Sequence, residues 1–300
     1  MDALTIKPLH ALGEMRAAVE LQKSYWGSDL ESIVPAHMLF SIASYGGHVL
    51  AAFDGERMVG LLIGFLGTHM DQTNRPAMAN LQMVSKRMVV LPEYRGQGIG
   101  YKLKLMQRDL TIKQGIRMVT WTFDPLMSLN AHLNIHKLGA ISHSYLEDYY
   151  GTTSEGGLVT LGSSDRLQVE WWVTNRRVDE RLNGSRSELN LQHYLGADTP
   201  IVNTATIDTH GTPWPAELPI IPTGLFALLE IPVNYSAIVE IDPILARAWR
   251  LHTRDLFKRL LSMGYIVTDF LRTPYEGRDR AFYLLSHSGA QSDQVDFSRN

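Results

Sequence analysis

Val89-Val90-Leu91-Pro92-Glu93-Tyr94-Arg95-Gly96-Gln97-Gly98-Ile99-Gly100 is the stretch on which the fold turns. An apolar run enters a short basic loop rich in glycine, and a helix is expected from Gly98 to about Gln114. The first N–H groups of such a helix have no partner inside it, so they point at one spot and make an anion site. Glycine lets backbone approach a diphosphate with no Cβ in the way. Arg95 can add a charge-assisted hydrogen bond. Glycines this close together are common, so the surroundings must decide. A Rossmann fingerprint needs Gly-x-Gly-x-x-Gly and an acidic residue about 20 positions later. Here Gly96, Gly98 and Gly100 are spaced by two, and the next strand ends in Trp121-Thr122-Phe123-Asp124. The Gly-Lys-Ser/Thr of a Walker loop is absent.

Working outward, Leu81–Val90 reads as the strand before the loop, and Gly115 as the stop of the helix after it. Upstream come a strand at Thr5–Leu9, a helix from Leu12 to Tyr25 with apolar residues at helical spacing, and a second helix between Pro35 and Gly46-Gly47. Strands His48–Phe53 and Met58–Leu66 are joined by Asp54-Gly55, a hairpin signal. The polar stretch Asp71–Ala77 reads as a loop. Downstream, Arg117–Phe123 is a buried strand, Ser128 caps a helix to Leu138 with Gly139 as its stop, and strands lie near Ser142–Tyr149 and Leu167–Thr174. Beyond, Arg177–Gly184 reads as a helix and Asp198–Pro222 as irregular. Phe226–Ile231 and Ala237–Ile241 read as strands, Asp242-Pro243 as the start of a helix to Gly264, and Ile266–Leu271 and Ala281–Ser286 as strands.

The chain has 300 residues, 45% of them hydrophobic, enough for a packed core in one large or two modest domains. A net charge of −3 predicts no bulk affinity for nucleic acid or an acidic membrane face. No apolar run reaches the roughly 18 residues of a membrane span, and Met1–Pro8 starts a strand, not a signal peptide, so a cytoplasmic protein is expected. There is no cysteine, which excludes disulfides, thiolate metal sites and a cysteinyl acyl-enzyme. His132 and His136 sit at i and i+4 on one helix face, but no third ligand is evident, and no metal is expected.

Arg95-x-x-Gly98-x-Gly100, or Gln97-x-x-Gly100 in a second register, preceded by Val-x-Pro-x-x-Arg-Gly, resembles the pyrophosphate loop of the GNAT superfamily of acyl-CoA N-acyltransferases. The order of elements over about residues 3–174 is also that of the family. The resemblance implies an α/β (α+β) fold: a mixed, mostly antiparallel sheet flanked by helices in residues 1–175, with an appended α/β segment, 176–300, packed on it. Further stretches resemble a bacterial subgroup of predicted GNAT acetyltransferases. They include Leu103-Lys104-Leu105-Met106-Gln107-Arg108, Asn130-Ala131-His132-Leu133-Asn134, Tyr149-Tyr150-Gly151 and Asp165-Arg166-Leu167. Some members of that subgroup look like N-succinyltransferases acting on D-amino acids.

The resemblance implies that acetyl-CoA or another acyl-CoA is the co-substrate. Backbone of Met88, Val89 and Val90 would meet the pantetheine amides. Arg95, Gly96, Gln97, Gly98, Ile99, Gly100 and Tyr101 would hold the diphosphate, and Asn130 and Asn134 would line the CoA arm. A small amine, an amino acid above all, would be acylated by direct attack. Two departures bear on the chemistry. Gln82 stands where many relatives have a base carboxylate, and Ile135 where many have a tyrosine that protonates the leaving thiolate. Glu170, Asp124 and Tyr150 are therefore the candidate catalytic groups, and Lys86 a candidate for an acidic acyl or acceptor group. A non-catalytic CoA sensor, and an acyltransferase for a protein or peptide amine, remain as alternatives. A homo-oligomer is left open.

Overall fold

The computed structural model describes residues 4–27, 33–68, 76–153, 159–185, 187, 189–209 and 211–287. Most of the expected loop Asp71–Ala77 lies outside them. The chain gathers into two compact units: residues 1–121 with 153–159 and 172–174, and residues 122–152, 160–171 and 175–300. Where a break at 175 was expected, the helix after Asp124 and most of the strands that follow it group with the C-terminal segment.

In the first unit β1 (Thr5–Pro8), β2 (His48–Asp54), β3 (Arg57–Thr68) and β4 (Leu81–Val90) are neighbours in that order, each antiparallel to the last. β5 (Met118–Phe123) joins β4 in parallel. Helices α1 (Leu12–Trp26), α2 (Ala36–Ser44) and α3 (Ile99–Lys113) cover it. α1 starts where Glu14 accepts the backbone N–H groups of His10 and Ala11, each at 3.1 Å. The core is aliphatic: Leu50, Leu61, Leu62 and Ile63 from the strands meet Met15, Leu39 and Leu103 from the helices. Gly60 allows the close seat of α3 on β3, for a Cβ there would lie 3.1 Å from Ile99 and 3.3 Å from Leu103.

The second unit has an antiparallel sheet in the order β7 (Arg166–Trp172), β6 (Ile141–Leu146), β11 (Tyr265–Tyr275), β12 (Arg278–His287), β10 (Phe226–Ile231); the last residue of β7 belongs to the first unit. α8 (Pro243–Ser262) packs on β6 and β11. Asp242 caps it as expected, accepting from Ile244 and Leu245. Phe257 of this helix and Phe270 of β11 each meet the Tyr283 ring of β12 edge to face. Among the remaining described elements are α5 (Arg176–Leu182), α6 (Leu191–Gly196) and the ribbon β8 (Thr206–Ile207) with β9 (Pro213–Trp214), the last inside the stretch expected to be irregular.

Two local expectations are corrected. Ala237–Ile241, expected as a strand, is helix α7 (Tyr235–Ile241). Its β-branched residues suggest a strand, but the Asn234 side chain caps the Ala237 N–H, and only Tyr235 is buried, donating its hydroxyl to the Ala246 carbonyl of α8. Anchoring at one end decides the conformation. Ser128 is not a cap either: it is the first residue of α4 (Ser128–Ala131), and the turn before it is closed by Asp124, which accepts from the Leu126 N–H. From His132 to Lys137 the helix widens into a π turn, with Leu138 N–H bonded to the Leu133 carbonyl.

Candidate active site

Pro92–Tyr94 makes a single helical turn after β4, and Arg95 leaves it extended. Tyr94 is tied to Asp54 at 2.8 Å and Glu93 to Arg57 at 2.7 Å, which fastens the turn to the β2–β3 hairpin. Gly96 and Gly98 both have positive φ, and Gly98, in the left-handed region, is the N-cap of α3. No side chain caps this helix, and its hydrogen bonding begins with Lys102 N–H to the Gly98 carbonyl. The N–H groups of Gly98 to Tyr101 therefore precede the ladder. Arg95, Gly96, Gln97 and Gly98 are exposed, and nothing lies within 4 Å of where a Cβ on either glycine would stand. The loop thus has donors, positive helix-end charge and open space, which suit an anion. Arg95 rests its guanidinium over the Tyr25 ring and donates Nε to the Val90 carbonyl at 3.3 Å.

The β4 backbone offers a second set of polar groups. Leu91 N–H donates to the Val59 carbonyl, so the register 60↔90, 61↔89, 62↔88 makes Val89 a hydrogen-bonded partner of Leu61. Met88 and Val90 turn their N–H and C=O groups to the other edge, the β5 side. Val89, expected beside them, has its backbone groups committed to β3. β5 pairs with β4 only at Met83↔Val119 and Val84↔Thr120. Past that point no described strand pairs with this edge of β4, which is open among the described residues. The register shift at Ile63/Gly64 opposite Arg87/Ser85 leaves Lys86 as an extra residue, exposed on a bulge.

The other expected site residues lie in the second unit. Asn130 is exposed on α4, whereas Asn134 is buried in the π turn. Asp124 meets Arg250 in a two-pronged ion pair of 2.8 and 2.6 Å. Both its oxygens are thereby committed, which suits a structural tie better than a base. Burial works against the Arg250 charge, but the Asp124 carboxylate outweighs it and holds the guanidinium pKa above its ordinary value. Glu170, on β7, is 28% exposed and lies 3.8 Å from His143. Tyr150 has its ring under the Arg166 guanidinium and its N–H on the Ser164 hydroxyl.

The motif Tyr149-Tyr150-Gly151 is thus joined to Ser164, next to Asp165-Arg166, and Ser164 donates to the Gly151 carbonyl. Asp165 is fully buried and accepts from Tyr145, Arg254 and the Asp148 N–H. Burial alone would raise its pKa, yet these partners bring it below the ordinary carboxylate value. Sequence reasoning missed Arg250 and Arg254, and missed that Asp269 binds both His136 and Arg181. His132 stacks on His136, and among the described residues no three potential ligands gather around a metal position.

Residues 15–139 match the model of the acetyltransferase (GNAT) family. The matched segment, somewhat under half of the chain, contains the loop, β4, Asp124 and both asparagines, but not Tyr150 or Glu170. No protein of curated function matches the chain. Solved structures similar to it include the ribosomal-protein-S18-alanine N-acetyltransferase of Escherichia coli, at 16% identity over 57% of this chain and 95% of that one, with a TM-score of 0.43. An N-acetyltransferase of Staphylococcus aureus Mu50 gives 10% identity, 58% and 100% coverage, and a TM-score of 0.45. A putative acetyltransferase from Salmonella typhimurium with acetyl-CoA gives 14%, 58% and 96%, and 0.44. Among the described residues no helix is long and apolar enough to cross a membrane.

Proposed function

We propose that this GNAT-type acyltransferase moves an acetyl or succinyl group from CoA to the amine of a small acceptor, an amino acid by preference, in the cytoplasm. The observation that carries the reading is the loop Arg95–Tyr101, where a helix start with no side-chain cap stands beside an exposed cation and the open space around Gly96 and Gly98. The diphosphate of CoA fits that chemistry. Its pantetheine amides fit the backbone groups of Met88 and Val90 on the open edge of β4. Chemistry would be largely positional: CoA is fixed, the amine is held near the thioester, and backbone N–H groups polarise its carbonyl. Glu170 is the carboxylate proposed to take the ammonium proton. Asp124 is assigned to holding Arg250, and Tyr150 to packing on Arg166. The amino-acid acceptor rests on the subgroup resemblance alone.

Arg95→Ala should weaken CoA binding by about 1.5–3 kcal/mol, roughly 10- to 100-fold, through loss of one charge-assisted contact. Wild-type affinity in that variant, measured by calorimetry, would sink the loop assignment. The activity itself is tested by incubating the protein with acetyl-CoA, succinyl-CoA and pooled D- and L-amino acids and amines. Acceptor-dependent CoA release with an N-acyl product by mass spectrometry is the expected result. CoA binding with no release over the whole panel would favour a sensor or a protein-directed enzyme.

A further inference from the structure

Lys104 is the one buried charged side chain among the described residues of the first unit, at 2% exposure. It lies on the inward face of α3 with Ile99, Leu103, Gln107 and Thr111, where an apolar residue would suit the helix best. Its Nζ donates to the Ser85 hydroxyl at 2.8 Å and to Gln107 Oε1 at 3.3 Å, and stands 3.5 Å from the centre of the Trp121 ring. Ser85 and Trp121 are the residues next after Val84↔Thr120, where the pairing of β4 with β5 stops. The ammonium therefore sits at the closed end of the open β4 edge.

The length of that edge matters. From Val90, whose carbonyl meets Arg95, back to Ser85 is roughly 16 Å at about 3.3 Å per residue, about the reach of an extended phosphopantetheine arm. An arm laid from the loop along Val90 and Met88 ends beside Lys104. A buried cation with no carboxylate costs stability, and among the described residues none is paired with it. Burial alone pushes its pKa well down. The charged groups on strands against α3 are engaged or exposed elsewhere: Lys7 with Glu14, Asp54 with Tyr94, Arg57 with Glu93, Arg87 over Trp26, and Lys86 exposed. His48 is bound to Gln114.

We propose that Lys104 is the acid that protonates the departing CoA thiolate, an inference that rests on the acyl-CoA reading above. The acceptor nitrogen forms a bond to the thioester carbon. The C–S bond then breaks with its electron pair on sulfur, and an Nζ proton passes to sulfur to give the free thiol. The acceptor nitrogen sheds one proton on becoming an amide, and exchange with solvent returns one proton to Lys104. Burial lowers the pKa of this ammonium, so it gives up its proton to sulfur more readily than an ordinary lysine would. The group also answers a gap, for Ile135, fully buried and apolar, stands where many relatives have the tyrosine acid.

The test uses the full chain with acetyl-CoA or succinyl-CoA, whichever the wild type turns over. Lys104→Met should lower kcat by about 10²- to 10⁴-fold and leave the acyl-CoA Kd within about threefold. Its Tm should rise, because an unbranched apolar side chain replaces a buried charge. Lys104→Arg should be equally slow, since guanidinium does not give up its proton. Ser85→Ala removes an acceptor from the ammonium, so the alkaline limb of its kcat–pH profile should move to lower pH. A Met variant with wild-type kcat, or a Ser85→Ala profile superimposed on the wild type, overturns the proposal. If the Met variant does not fold, the Ser85→Ala profile decides. Failure of the wild type itself to bind either acyl-CoA would instead refute the reading on which the proposal stands.

Discussion

In the second unit, Arg250 faces Asp124, Arg254 faces Asp165, Arg280 faces Glu230 and Arg181 faces Asp269, at 2.5 to 2.8 Å. In the first unit the buried cation Lys104 faces a hydroxyl, an amide and an indole, and α3 starts without a side-chain cap beside the open space around Gly96 and Gly98. The difference separates two uses of polar groups. A buried ion pair adds little net stability, but removing one partner leaves a charge stranded, so such pairs hold one arrangement against others. A donor set without internal partners stabilises nothing in the folded protein and becomes useful only when a ligand completes it. The interior of the second unit is therefore cross-tied by its own charges, whereas in the first unit the ion pairs are exposed and the buried cation has neutral partners.

The largest expected effect breaks a tie. Arg280 is 1% exposed and donates to both oxygens of Glu230, itself buried. Arg280→Ala should destabilise by about 3–5 kcal/mol, read from urea unfolding. A loss under about 1 kcal/mol would mean that the pair is solvated and the contrast between the units false.

A smaller effect comes from pH. Burial, then the charges of His136, Lys137 and Arg272, press the His132 pKa down from 6.5 to about 4. The folded state thus keeps this ring neutral while the unfolded chain protonates it. Stability from this group is complete above about pH 6.5 and is lost as pH falls towards 4, by about 1–2 kcal/mol after screening at a partly exposed ring. The His132→Asn variant should lack that slope between pH 6.5 and 4, and an unchanged slope would point to another group.

The smallest effect belongs to the first unit. Glu14 closes the start of α1, and its pKa is brought to about 2 by Lys7, then by the N–H groups of Ala11 and His10. Glu14→Ala should cost about 1 kcal/mol or less. Hydrogen exchange should show fraying confined to the first turn of α1; loss of protection throughout the unit would show that this surface contact holds more than the helix end.

Much of the fold was legible because its signals are short. Gly98 needs a left-handed φ, Asp242-Pro243 caps and starts α8, and Gly55 turns the hairpin. Each works within a few residues of itself. Ala237–Ile241 was misread because its β-branched run carries a strand preference that one cap and one buried tyrosine override. The site was legible in the same uneven way. The loop is contiguous in sequence, so Arg95 to Tyr101 could be named. Asp124 looked like a base because Arg250, which occupies it, is 126 positions away.

Sequence alone determined the glycine loop, its helix and the strand that feeds it, since backbone sterics and helix-end hydrogen bonding act between near neighbours. Tertiary structure alone decided that Val89 is committed to β3 while Met88 and Val90 are not, that Asp124 is tied to Arg250, and that Lys104 lies where β4 and β5 part. Those facts depend on strand register and on pairings between distant segments, which leave no mark on the residues next to them in the chain.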